Sequence, residues 1–396
     1  MYDATLRDDQ LHLWIIFEFP MTASLLMAMT SATSLSPRQV HDIYETARQC
    51  VDTLISYANL NHGPIHWTLD STHGDYSLFK GSEPAPFTKS NSSGLYCSSM
   101  DINGTLDEVM EHFRTDTTEK AQQLVHRVGR GAVDSVNLAR LPPPCNSSIE
   151  DVIVKWNLGK NPFNGLARKR DMCVVECDYS FEVNGKRGWV RARHSIKVDS
   201  CPDLEATMGY IRMEDRGSGH VFIESDRAGC LHAFHINHMD LRGHPADLLA
   251  HVCIKNCCAS LKDLDRFLRE NRLSRGPWLD PRHYESHDAV DACSRCYSNF
   301  SLFRRKTNCQ KCGQVVCSSC NQSWHVKLNN EVTKRHACTV CSLKPPPTAV
   351  KDADNRPSEF AWLSQSLVSQ ANTASASSYI EIAAGHDSRD GLYYVL

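Results

Sequence analysis

Eight cysteines between residues 293 and 341 stand in four CxxC pairs: Cys293/Cys296, Cys309/Cys312, Cys317/Cys320 and Cys338/Cys341. Gaps of 12, 4 and 17 residues separate successive pairs. A CxxC turns two thiolates toward one ion from a single tight knuckle. Zinc takes four soft ligands in a tetrahedron, so eight thiolates fit two closed sites and two Zn2+. A closed site leaves no position for water or substrate, so this metal holds a shape and does no chemistry. No catalytic pattern accompanies it: the chain has no GxSxG, HExxH or P-loop. No spacing sets two carboxylates together for acid–base work. His232, His235 and His238 form HxxHxxH, but on a strand the middle residue points to the opposite face, so the three do not converge on one ion. The expectation is a binding protein and not an enzyme.

The remaining residues must position those sites. A chain of 396 residues, 41% hydrophobic and 22% charged, has room for two or three globular domains. A formal net charge of -3 gives no reason to expect nucleic acid as a partner. The ten cysteines outside the ladder show no framework spacing, which suits a reducing, cytoplasmic compartment. Leu11 to Met29 is apolar-rich but is interrupted by Glu18 and Pro20, and acidic residues precede it. That is the wrong pattern for a signal peptide or a spanning helix. Residues 1–34 are therefore read as an N-terminal extension.

Residues 37–58 predict an amphipathic helix, with Val40, Ile43, Tyr44, Ala47, Val51, Leu54, Ile55 and Ala58 on one stripe after a Ser36-Pro37 start. Trp67–Asp70, Tyr76–Lys80 and Leu95–Ser99 predict short strands. Thr105-Leu-Asp-Glu108 reads as a capping box opening a short helix. Strands are then expected at Ser135–Leu141, Asp151–Leu158, Asp171–Phe181, Gly188–Ile196, Thr207–Asp215, His220–Glu224 and Cys230–His238, with short connections that favour antiparallel hairpins. One long helix from about Pro245 to Glu270 closes the domain. Residues 271–283 form a linker, and the polar segment 344–396 is expected to be disordered, with a short helix near Glu359–Ser369.

An early helix, many antiparallel strands and a long closing helix give an α+β domain in which a curved sheet grips a helix and leaves an apolar tunnel. Over residues 35–270 this order resembles the START family of lipid-transfer domains. The resemblance is carried by Lys169-Arg170-Asp171-Met172-Cys173 leading a strand, by Gly188-Trp189-Val190, and by Gly243-His244-Pro245 before the last helix. It implies a helix-grip fold, one bound sterol, phospholipid or sphingolipid, and no catalysis.

The cysteine ladder, with Gly313 after Cys312 and Val315-Val316 before Cys317, closely resembles the FYVE zinc finger over about residues 284–343. That resemblance implies a cross-brace in which Cys293, Cys296, Cys317 and Cys320 hold one ion and Cys309, Cys312, Cys338 and Cys341 the other. It also implies phosphatidylinositol 3-phosphate on endosomal membranes, but the three motifs that carry this are altered. Tyr284-Glu-Ser-His287 stands where WxxD is usual. Arg305-Lys306-Thr307-Asn308-Cys309-Gln310-Lys311-Cys312-Gly313 replaces a basic pair followed by HHCRxCG. His336-Ala337-Cys338 replaces RVC. Arg305, Lys306 and Lys311 remain as candidate headgroup-binding cations, while Gln310 cannot grip a phosphate as an arginine would. Leu302 and Phe303, before the basic run, fill the positions of a membrane-inserting turret. Eight Lys/Arg against four Asp/Glu over 284–341 give a formal +4, which two zinc ions on eight thiolates cancel, so attraction to anionic lipid is local.

These readings predict a peripheral protein of endosomal membranes, with a lipid in the START-like domain and the finger on a phosphoinositide or other anionic surface. The alternative is an adaptor whose finger binds a protein partner. A ubiquitin ligase with a RING-type brace fits less well, because all eight ligands are cysteine.

Overall fold

The structure is a computed structural model that describes residues 35–82, 93–128, 130–145, 147–159, 168–242, 247–329 and 331–344. The N-terminal extension, Gly243-His244-Pro245 and the segment after 344 lie outside the described residues.

The first helix, α1 (Pro37–Ala58), starts as its sequence predicts: Gln39 N–H donates to Ser36 Oγ and Ser36 N–H to Gln39 Oε1, a complete capping box. The body continues through β1 (His66–His73), β2 (Tyr76–Ser82), β3 (Ser93–Asn103), α2 (Leu106–Phe113), α3 (Thr118–Val128), β4 (Ala132–Leu141), β5 (Ile149–Gly159), β6 (Arg170–Val183) and β7 (Lys186–Ser195). A short α4 (Glu205–Met208), β8 (Ile211–Arg212), β9 (Glu214–Asp215), β10 (Ser218–Glu224) and β11 (Cys230–Asp240) follow. Two helices, α5 (Asp247–Cys258) and α6 (Ser260–Ser274), complete it. The sheet runs β1-β2-β3-β11-β10-β7-β6-β5-β4, with antiparallel neighbours along that path.

Alternation along the strands divides the core. Val190, Ala192, Val221, Ile223 and Ile236 meet α1 through Val51, Leu54 and Ile55. Their neighbours Trp189, Phe222, Leu231 and Ala233 point to the other face. There they pack on Leu106, Val109 and Phe113 of α2 and on Leu261, Leu264 and Leu268 of α6. The sheet is thus gripped between α1 and the closing helices, the expected α+β arrangement. Asp171 is buried and receives Trp156 Nε1 at 2.8 Å and both edges of Arg212 at 2.8–3.0 Å. Arg170 reaches the Leu241 carbonyl at 2.9 Å. The Arg-Asp strand start is therefore a staple that ties β5, β6, β8 and the end of β11 together.

Three elements differ from expectation. The single helix to residue 270 is two helices, broken at Ala259. Ser98 Oγ, buried on β3, donates to the Cys258 carbonyl at 2.8 Å, and Lys262 N–H turns to the Ala259 carbonyl at 3.2 Å. A tertiary hydrogen bond has taken an acceptor from the helical ladder, and the helix is interrupted there. The strand expected over Thr207–Asp215 is a helical turn ended by Gly209 in the left-handed region (φ 70°), followed by two strands of two residues each. Helix α3 has Ala121 as its one fully buried side chain, too narrow a stripe to announce itself.

Residues 271–283 are not a free span. Helix α6 continues to Ser274, and Leu273 is buried in the core of the finger with Trp324 and Val326. The finger consists of β12 (Lys306–Asn308) paired with β13 (Val315–Cys317), β14 (Asn321–Leu328) paired with β15 (Glu331–Cys338), and α7 (Thr339–Leu343).

Candidate metal centres and binding surfaces

Two cysteine tetrads form in the finger: Cys293, Cys296, Cys317 and Cys320, and Cys309, Cys312, Cys338 and Cys341, with all four sulfurs of each within 4.8 Å of one another. Pairs one and three, and pairs two and four, converge, so each ion stitches residues distant in sequence. Cys296 Sγ and Cys317 Sγ lie 3.8 Å apart. Four sulfurs at the usual zinc–sulfur distance of about 2.3 Å in a tetrahedron stand about 3.8 Å from one another. The chain also supplies donors to the sulfurs: Cys317 N–H and Arg295 N–H to Cys293 Sγ at 3.3 and 3.4 Å, and Cys338 N–H to Cys309 Sγ at 3.2 Å. Such donors stabilise thiolates, the form that binds metal. Arg295, whose backbone lies inside the first knuckle, reaches Cys338 Sγ at 3.4 Å and Cys312 Sγ at 3.7 Å, so its guanidinium extends from the first tetrad onto two sulfurs of the second. The first two of the four CxxC knuckles turn through the left-handed region at the next residue, Tyr297 (φ 57°) and Gly313 (φ 78°). The donor set fits two structural Zn2+.

Beyond the metal ligands, a turn closed by Ser301 and Arg304 lifts Leu302 and Phe303 clear of the finger; they are 92% and 99% exposed. Arg304 and Arg305 are exposed beside them. The three candidate cations do not share one fate. Arg305 is in solvent. Lys306 donates to the His287 carbonyl at 2.7 Å and lies over the Phe300 ring. Lys311 points away, donating to the carbonyls of Leu273, Arg275 and Gly276 at 3.1–3.2 Å over the Trp278 ring. The residues at the altered motif positions engage one another. His287 Nε2 meets Asn308 Oδ1 at 2.7 Å, Asn308 Nδ2 donates to the Glu285 and Gly313 carbonyls, and Gln310 Oε1 accepts from His336 N–H at 2.8 Å.

The body holds a cavity of about 170 Å³ between the sheet and α3, α5 and α6. Leu124, Val125, Val128, Met172 and Met239 give it an apolar wall, and Lys155, Glu176, Arg191, Arg193, His220 and His235 a polar one. The charges are paired. Lys155 is bonded to Glu176 and to Thr115 Oγ1, Arg191 grips Asp178 with two bonds of 2.5–2.6 Å, and Arg193 meets Asp215 at 2.6 Å. Burial alone would raise the Glu176 carboxyl, but Arg191 and Lys155 outweigh it and hold it at about 2. Burial, helped by Arg193, pushes His235 down to about 3, so it is neutral, stacked on His220 with ring centroids 4.0 Å apart. Asn237 Oδ1 is buried without a hydrogen-bond partner.

Sequence reasoning missed this network. Its signal is a charge at a core position of an otherwise apolar run: Lys155 in VIVKWNL, Glu176 in CVVECDY, and Arg191 and Arg193 around Ala192. The expected opposition of His232 and His235 across the strand is present. His232 meets Asp101 of β3 at 2.7 Å on the surface, while His235 faces Ser260 inside.

Residues 283–344 match the FYVE zinc finger family. Solved structures similar to this chain include human StAR-related lipid transfer protein 5, at 14% identity and a TM-score of 0.40, covering 57% of this chain and 98% of that one. Human STARD10 aligns at 10% identity and a TM-score of 0.41, covering 60% of this chain and 80% of that one. The human StarD13 (DLC2) lipid transfer and protein localization domain aligns at 14% identity and a TM-score of 0.37, covering 59% and 97%.

Proposed function

We propose that this chain is a non-enzymatic, peripheral lipid-binding protein. The finger docks on an anionic or phosphoinositide-bearing surface on the cytoplasmic side of endosomal membranes, and the START-like body holds one lipid. The exposed pair Leu302 and Phe303, raised beside Arg304 and Arg305, carries the docking reading. Burying a Leu or Phe side chain contributes about 1.5–3 kcal/mol, and each cation near an anionic surface adds about 1 kcal/mol. That is enough for reversible attachment without a spanning segment. Among the described residues, no helix is long and apolar enough to cross a membrane.

The body's cavity is small for this role, because ligand pockets usually run to about 300–1,000 Å³. A whole lipid requires the helices over the cavity, α3 foremost, to move outward from the sheet. The internal commitments of Lys311, Asn308 and Gln310 favour broad recognition of anionic lipid over selection of phosphatidylinositol 3-phosphate. The same commitments are what a protein-binding adaptor would show. Flotation of the zinc-loaded protein with vesicles of single phosphoinositides and of phosphatidylserine separates these readings. The proposal expects binding to several anionic compositions and a lipid mass retained in native mass spectrometry. Absence of both leaves the adaptor.

A further inference from the structure

Helix α6 belongs to two cores. One face sends Leu261, Leu264 and Leu268 into the body. Another face sends Arg266, Glu270, Leu273 and Ser274 to the finger. Arg266 Nη2 donates to the Ser323 carbonyl at 2.8 Å, and its guanidinium lies 5.2 Å from the centroid of the Trp324 ring. His325 N–H donates to Glu270 Oε1 and Lys327 N–H to Ser274 Oγ, each at 2.9 Å. The two repeats are commensurate. Every second residue of β14 advances about 6.6 Å, and every fourth residue of α6 about 6 Å. An edge strand can therefore bond to a helix at three successive points.

Lys311 closes the joint. The last carbonyls of a helix have no intrahelical donor and carry the negative end of its dipole. An ammonium group has three donors, and Lys311 finds three carbonyls at and just past the helix end, those of Leu273 in the last turn, of the C-cap Arg275 and of Gly276. Its own backbone lies inside the second knuckle, between Cys309 and Cys312. That knuckle takes a fixed shape only when the metal gathers its thiolates.

We infer that Lys311 is a positioning residue: it joins the second zinc tetrad to the end of α6, so that zinc loading of the finger and order in the helix bordering the body's cavity are one linked equilibrium. The finger is then both a docking device and the outer support of the cavity's closing helix. The inference rests on the zinc reading of the tetrads and not on lipid binding, so failed flotation leaves it standing.

Hydrogen exchange of the full chain, without lipid, tests it. In the wild type, removing zinc with a chelator should speed exchange across 262–276 at least tenfold, while β5 to β7 stay protected. Lys311→Met, with two zinc ions still counted by native mass spectrometry, should speed exchange over 270–276 about tenfold, and Lys311→Arg should restore much of the protection. Protection of α6 that survives zinc removal overturns the linkage. An unchanged α6 in zinc-loaded Lys311→Met overturns the assignment of Lys311. Should that variant fail to fold, the wild-type chelation series still decides the linkage.

Discussion

The body and the finger place polar and apolar side chains in opposite ways. The body buries Lys155, Glu176, Arg191 and Asp178 beneath its helices and pairs them, whereas the finger exposes Leu302 and Phe303. The difference follows from what each region uses to hold its shape. The body has a large apolar core on both faces of its sheet and can carry the desolvation cost of a few paired charges. The finger is too small to build such a core. Two metal ions supplement its small core around Trp324 and Val326, and Leu302 and Phe303 are left to face outward.

The comparison breaks most visibly at the metal. Cys309→Ser should remove one zinc ion, counted by native mass spectrometry, and collapse the finger's amide dispersion in NMR. Structural zinc contributes about 10–16 kcal/mol in finger peptides. The body's sheet should keep its far-ultraviolet circular dichroism, with any loss confined to the helical signal of α6.

A smaller effect is expected inside the body. Arg191→Met strands Asp178 and weakens the hold on Glu176, and breaking a buried pair costs about 3–5 kcal/mol. Urea melts should show that loss. Adding Asp178→Asn should return part of it, because both partners are then neutral; a double variant weaker than the single one would mean that pairing is not what the charges do.

Acid should reveal the buried histidine next. His235 is held at about 3 by burial, while an unfolded histidine titrates near 6.5. A depressed folded value means full stability above pH 6.5 and loss as pH falls toward 3. At pH 5 the loss is about 2 kcal/mol, read from melts between pH 7 and 5. His235→Gln should remove that share of the slope and leave the share of the buried His112 and His220, which burial also holds below the usual histidine range. The smallest effect on folding belongs to the exposed pair: Leu302→Ser with Phe303→Ser should shift the melting free energy by no more than about 0.5 kcal/mol.

What could be read from the sequence was local. The CxxC spacing announced two thiolate sites, and the stripe from Val40 to Ala58 announced α1, because both patterns repeat over a few residues. The Ser36-Pro37 helix start and the capping box at Thr105 were visible for the same reason; the box that Gln39 completes with Ser36 was not read. What escaped depends on a distant partner. Nothing near Cys258 says that Ser98 takes its carbonyl, and nothing near Lys311 says that the end of α6 arrives there. The charge of Lys311 suggested a headgroup site; its direction is set by three carbonyls 35–38 residues earlier. Lys155 and Glu176 are diagonal neighbours across β5 and β6, and nothing beside either in sequence names the other.

The central claim is that the finger's exposed apolar tip docks the chain on anionic membrane while zinc only holds its shape. Its most direct test is flotation of the wild type and of the Leu302→Ser/Phe303→Ser variant, each confirmed to carry two zinc ions, on vesicles of phosphatidylcholine with anionic lipid. The wild type should float and the variant should lose at least tenfold in bound fraction. Equal flotation of the two, or none by the zinc-loaded wild type on any anionic composition, would contradict the claim.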